Sequence, residues 1–139
     1  MAFEVKKLIA DDNLTITDNG DGTFSIDYDI ESPQANTYTF YWKWTMDTAT
    51  NFKIMVFFQD YNSGEWFPRY VKDLVDGEFI IDECSFTWDA TKPITGSFSD
   101  IVMRNEKNIR ILLTPDDVAG NDEFEVMIRT NTLLGKGNR

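Results

Sequence analysis

The feature that most restricts the fold is a regular alternation of side chains along residues 37–46. Every second position there is large and apolar, and the positions between are mostly small or polar. The large set comprises Tyr38, Phe40, Trp42, Trp44 and Met46. Because successive side chains of a β-strand point to opposite faces, this pattern predicts a strand with one buried aromatic face and with Tyr41 on the other face.

The same period of two recurs at residues 23–30, 83–89, 108–114 and 123–130. Residues 52–59 are apolar on both faces except at Lys53 and Gln59, which predicts a central strand covered on both sides. Weaker strand patterns occupy residues 3–9, 13–17, 66–71, 78–81 and 94–103.

Residues typical of tight turns separate these runs, because glycine and asparagine tolerate positive φ angles and proline fixes φ. Short strands at this spacing predict an all-β fold, a single antiparallel β-sandwich spanning residues 1–139. Immunoglobulin-like and jelly-roll connectivities both fit the pattern. The only helical patterns lie at residues 69–75 and 114–117.

A turn-rich segment at residues 18–22 leads directly into an alternating strand. Residues 17–28 read Thr-Asp-Asn-Gly-Asp-Gly-Thr-Phe-Ser-Ile-Asp-Tyr. This segment resembles the hairpin of filamin-type and bacterial immunoglobulin-like repeats, in which an Asp-Gly-Asp-Gly-Thr-aromatic turn opens a strand. The chain is longer than one such repeat and lacks the closing Ser-Pro-Phe of that family. The resemblance implies a β-sandwich hairpin and assigns no functional residue.

The chain contains no histidine, which excludes a Ser-His-Asp triad, a Cys-His pair, an HExxH zinc site and a histidine pH switch. Paired-carboxylate chemistry remains, but 24 acidic residues place some pair at glycosidase separation by abundance alone. We therefore predict that the protein is not an enzyme and has no catalytic residues. The single cysteine, Cys84, shares a strand face with Phe86 and Trp88 and is predicted to be a buried thiol without chemistry.

Residues 18–22 carry oxygen ligands of the kind that calcium prefers, yet their spacing does not fit an EF-hand, so a plain hairpin turn is the preferred interpretation. A second acidic group follows later in the chain: Asp116, Asp117, Asp122, Glu123 and Glu125. Only loops that bring this group beside Asp18 and Asp21 would make a cation site credible. We predict no metal site and no cofactor.

The formal net charge is −11, from 13 basic and 24 acidic residues. This balance argues against nucleic acid and anionic membranes as partners and favours docking onto a basic patch of a protein. No apolar run approaches the ~20 residues that cross a bilayer. The first ten residues lack the pattern of a Sec signal, so we expect synthesis in a cytoplasm.

Aromatic residues make up 14% of the chain, and most are expected to fill the core. The predicted ligand or partner contacts are Tyr41, Tyr61 and Trp66. The expected function is that of a non-catalytic structural or interaction protein, an accessory (decoration, minor capsid or tail-associated) component of a bacteriophage virion, with homo-oligomerisation left open. The alternatives are a carbohydrate-binding module and, less favoured, a carboxylate-based glycan hydrolase. Glycan binding requires at least two coplanar aromatics in one groove, drawn from Tyr41, Tyr61, Trp66 and Trp88.

Overall fold

The computed structural model describes residues 2–30, 37–69, 71–75, 78–81, 84–87, 95–103 and 105–131, with the backbone alone described between 71 and 87. None of these residues is helical. The strands are β1 (Glu4–Lys7), β2 (Leu14–Asp18), β3 (Phe24–Asp29), β4 (Thr37–Thr45), β5 (Asn51–Asp60), β6 (Trp66–Pro68), β7 (Val71–Val75), β8 (Glu78–Ile81), β9 (Cys84–Thr87), β10 (Thr95–Ile101), β11 (Glu106–Pro115) and β12 (Glu123–Asn131).

Two sheets pack face to face, as expected for a β-sandwich. The four-stranded sheet has the order β1-β12-β4-β10, and the six-stranded sheet has the order β2-β3-β11-β5-β6, with β9 also paired to β5. Strand β1 runs parallel to β12, whereas every other pairing within these sheets is antiparallel. The predicted all-β, sandwich-like architecture is confirmed.

The core lies between the inner faces of the sheets and is rich in aromatic rings. The alternating side chains of β4 are buried as predicted, with Phe40 and Trp44 fully inaccessible, while Met46 just beyond β4 is half-buried. Phe52 of β5 packs edge-on against Trp42 and Phe124, with ring centroids 5.4 and 5.0 Å apart. These contacts join the two sheets, because β5 belongs to one sheet and β4 and β12 belong to the other.

A glycine makes room for the largest of these rings. Gly96 of β10 lies opposite Trp42 of β4, and a Cβ atom at Gly96 would stand 2.4 Å from the indole. A strand glycine often marks such a close approach. The side chain of Trp42 therefore covers β10 at this point.

The helical patterns in the sequence proved wrong. Residues 71–75 form β7, which pairs antiparallel with β8, so a hairpin replaces the expected helix. Thr114 and Pro115 end β11 opposite Lys53 and Phe52. Trp88 lies outside the described residues, as does the side chain of Cys84, so the burial predicted for that thiol remains a prediction. No helix in the described part of the chain is long and apolar enough to cross a membrane.

Candidate functional site

The three side chains predicted to contact a ligand or partner lie in different places. Tyr41 is half-buried on the outer face of the four-stranded sheet, between Ser97 and Met127. Trp66 is half-buried on the outer face of the six-stranded sheet, beside Gln59. Because these faces are on opposite sides of the sandwich, Tyr41 and Trp66 do not form one groove. Tyr61 lies in the turn between β5 and β6 and is 67% exposed.

Trp66 borders a cleft on the outer face of the six-stranded sheet, which we call the outer cleft. Its volume is about 280 Å³. The lining residues come from β3, β6 and β11 and from residues in and next to β2: Asn13, Thr15, Asp27, Tyr28, Asp29, Trp66, Lys107 and Asn108. Apart from the indole and the buried Tyr28, the cleft is walled by carboxylates, amides, a hydroxyl and an amine.

Arg110 is held rigidly beside the outer cleft. Its Nε and Nη2 atoms donate to the two carboxylate oxygens of Asp27 at 2.8 and 2.9 Å. Its Cζ atom lies 4.2 Å from the centroid of the Trp66 ring, a cation–π arrangement. The hydrogen bonds that Arg110 donates to Asp27 raise the pKa of Arg110 above its already high ordinary value. Asp27, Arg110 and Trp66 thus form a fixed row across β3, β11 and β6.

Amide groups continue this row toward the start of β11. The side-chain amides of Asn108 and Gln59 lie in contact at 2.6 Å, and Nε2 of Gln59 donates to the carbonyl of Gly64 at 3.0 Å. On the opposite side of the cleft, the backbone N–H of Asp29 donates to the carbonyl of Asn13 at 2.9 Å. These bonds tie the walls of the cleft to the sheet and to the β5–β6 turn.

A second surface feature is a group of exposed apolar side chains at one end of the sandwich, which we call the end patch. Its members are Tyr61, Phe67, Ile101 and Met103, each at least half exposed. Sequence reasoning identified Tyr61 alone, because the other three lie on segments that sequence spacing does not bring together. Large apolar side chains that cluster on a surface are typical of interaction sites.

The end patch surrounds Asn105 and Glu106. The N–H of Tyr61 donates to the carbonyl of Asn105 at 2.8 Å, and the N–H of Met103 donates to Glu106 Oε1 at 2.7 Å. Phe67 lines a hollow of about 170 Å³ together with Asn105 and Glu106. The β5–β6 turn, β6, the segment after β10 and the start of β11 thus meet at Asn105 and Glu106.

Arg69 fixes this end of the molecule. Its guanidinium donates to the carbonyl of Ile101 at 3.2 Å and pairs with the carboxylates of Glu106 and Asp100, the latter at 3.8 Å. Its Cζ atom lies 3.8 Å from the centroid of the Phe58 ring. The cation thus joins β10 of one sheet to β11 and β5 of the other, beneath the exposed side chains. The sequence patterns place Arg69 both in a weak strand, residues 66–71, and in a helical pattern, residues 69–75, and predict no contact for its charge.

The acidic residues of the turn at 18–22, which are candidate calcium ligands by sequence, accept hydrogen bonds from groups of the same turn. Asp18 accepts from the N–H of Gly20, and hydrogen bonds from Thr23 lower the pKa of Asp21. Gly20 adopts a φ of 80°, as a tight hairpin turn requires. Among the described residues, no three acidic, cysteine or histidine side chains come close enough to hold a metal ion.

Asp122 is the one carboxylate in the described core that is completely buried. It accepts from Trp44 Nε1 at 3.2 Å and from the backbone N–H groups of Asp47, Thr48 and Ala49 at 2.8, 3.1 and 3.4 Å. This arrangement orders the loop after β4 and leaves the carboxylate no access to a ligand. Its role is structural.

No protein-family model matches this chain, and no curated protein sequence matches it. The resemblance of residues 17–28 to filamin-type repeats therefore depends on those residues alone. The features of the molecule that bear on its function are the outer cleft, the end patch and the net charge.

Proposed function

We propose that this protein is a non-catalytic interaction protein that docks onto a protein partner through the end patch. The observation that carries the proposal is the grouping of Tyr61, Phe67, Ile101 and Met103 around one point of the surface. Aromatic residues and methionine are enriched where protein interfaces form. Arg69 holds the underlying strands together, so little ordering is needed when a partner binds.

Charge supports a partner with a basic rim around an apolar centre. Asp60, the last residue of β5, and Glu65 of the β5–β6 turn lie beside the patch, and the whole chain carries a formal charge of −11. Hydrogen bonds from Ser63 lower the pKa of Asp60, so this carboxylate stays ionised at neutral pH. Complementary charge of this kind speeds encounter and sets orientation.

Two observations support a non-catalytic role. The sequence contains no histidine, and the pKa values of Asp21 and Asp60 are lowered by hydrogen bonds. A glycoside hydrolase instead needs a carboxylic acid with a raised pKa to protonate the leaving group. Asp21 and Asp60 are thus better suited to capping turns than to donating protons.

We further propose that the partner belongs to a bacteriophage particle, in which this chain is a decoration, minor capsid or tail-associated component. A small acidic sandwich with one apolar end suits attachment to the outside of a larger assembly. Either immunoglobulin-like or jelly-roll connectivity is compatible with this role.

Site-specific photocrosslinking tests the proposal. A benzophenone amino acid replaces Phe67 or Met103 in the full chain, expressed in the cells that naturally produce it. Both positions are expected to crosslink to the same partner, identified by mass spectrometry, and that partner is expected in purified virus particles. The matched control replaces Lys43, which is exposed on the outer face of the four-stranded sheet.

Equal crosslinking from Lys43 and from the end patch would contradict the proposal that the end patch is the docking surface. The absence of a partner shared by Phe67 and Met103 would contradict it as well. A shared partner that is absent from virus particles would contradict the proposed place in a virion but not the docking through the end patch.

The double variant Tyr61→Ser with Phe67→Ser provides a second measurement. It alters exposed side chains only, so it is expected to remain folded and to lose the partner on co-purification.

A further inference from the structure

The outer cleft is separate from the end patch and lies on the outer face of the six-stranded sheet. Its volume of about 280 Å³ lies just below the range of roughly 300–1,000 Å³ that is typical of small-molecule pockets. This volume suits a single ring and its substituents rather than a peptide segment. The ligand must therefore be recognised through a compact set of groups.

The outer cleft is close to charge balance, unlike the whole chain. Asp27, Asp29 and Lys107 line the cleft, and Arg110 lies beside it. The charge of Asp27 is offset by its two-point bond to Arg110. The other two lining charges, on Asp29 and Lys107, are opposite in sign, so the cleft does not favour a charged ligand over a neutral polar one.

The polar groups of the cleft match the hydrogen bonding of hydroxyl groups. A hydroxyl both donates and accepts, so vicinal hydroxyls pair well with planar carboxylate and amide groups. Asp27 uses only part of its acceptor capacity on Arg110, since a carboxylate has about four lone-pair sites. Asn13 and Asn108 add amides, and Thr15 adds a hydroxyl. These groups sit on the sheet or next to it, so they are held in place before a ligand arrives.

Trp66 adds an apolar surface to this polar set. Its ring is fixed by the guanidinium of Arg110 and is half-buried at the border of the cleft. An aromatic ring beside polar groups suits a molecule with both hydroxyls and C–H faces, and sugar rings have this combination. We propose that the outer cleft binds a single sugar residue of a neutral glycan. This mode differs from the aromatic platform considered from the sequence, because it needs one indole and a polar pocket.

NMR titration of the full-length protein tests this proposal. The probes are methyl glycosides of glucose, galactose, mannose and N-acetylglucosamine, each added separately to ¹⁵N-labelled protein. We expect at least one of them to give saturable shifts at the indole N–H of Trp66 and the side-chain amide of Asn108. The shifts are expected to be absent at the amide of Tyr41, on the opposite sheet.

Two variants tie binding to the cleft. Trp66→Ala and Asn108→Ala are each expected to weaken the affinity by about tenfold or more, and the unchanged spectrum of the core strands verifies their fold. Tyr61→Ala is the matched control and is expected to bind normally. The proposal is overturned if no glycoside produces saturable shifts, if charged probes such as inorganic phosphate alone do so, or if Asn108→Ala binds normally. These outcomes are independent of the crosslinking at the end patch.

Discussion

Asp122 shows how a single buried charge can organise a loop. Two segments far apart in sequence meet at this carboxylate, since it is bonded to residues 73 to 78 positions earlier in the chain. In addition, Asp47 Oδ2 accepts from the N–H of Asn121 at 2.7 Å. The two loops therefore cap each other, which explains why a buried carboxylate can be tolerated beside Trp44.

We predict that Asp122→Ala lowers the free energy of unfolding by about 3 kcal/mol, because several buried donors lose their acceptor at once. Urea denaturation of the purified protein measures this change. The matched control is Asp117→Ala in the same loop, whose partly buried carboxylate accepts from the N–H of Ala119 at 2.9 Å. Its cost is expected to be below about 1 kcal/mol. Similar costs for the two variants would contradict the role assigned to Asp122.

At the scale of elements, the faces of β4 could be predicted from sequence because alternation is a local property of a strand. The pairing of β1 with β12 and the order of the sheets depend on contacts between distant segments, and alternation says nothing about them. Arg69 illustrates the consequence, since it bonds to Ile101 and Glu106, 32 and 37 residues away. For the same reason, the sequence could propose Tyr41 and Trp66 as site residues without showing that they lie on opposite sheets.

The two faces of β4 lead to a prediction about neighbouring residues. Phe40→Ala and Trp42→Ala are each expected to cost about 3–5 kcal/mol, because each opens a cavity between the sheets. Tyr41→Ala is expected to cost far less, since its ring lies on the half-exposed outer face. Thermal melting of the three variants measures the difference. Comparable melting temperatures would show that the faces of the strand are wrongly assigned.

At the scale of the whole molecule, two effects of pH act in opposite directions. The formal charge of −11 at pH 7 and the pI of about 4.3 mean that mild acid relieves repulsion among carboxylates. Stronger acid removes the hydrogen bonds that ionised carboxylates accept. Asp116 is such a carboxylate, accepting from the N–H and Oγ1 of Thr50 at 2.9 and 2.8 Å. Asp116 follows β11 and accepts from residues at the start of β5, so it joins the ends of two neighbouring strands.

Asp116 allows the second effect to be measured separately. Partial burial raises its pKa, but the hydrogen bonds from Thr50 and Asn51 outweigh burial and lower the pKa below the ordinary value of 3.8. Because the folded protein holds the proton less tightly than the unfolded chain, Asp116 stabilises the fold above pH 3.8. This contribution disappears as the pH falls through the lowered pKa of Asp116.

We therefore predict that Asp116→Asn has a lower melting temperature than the wild type at neutral pH and that the difference narrows in acid. Melting curves across the acid range test this, with Asp12→Asn in the exposed β1–β2 loop as the control that follows the wild type throughout. A difference that stays constant into strong acid would mean that Asp116 acts through packing rather than through its charge.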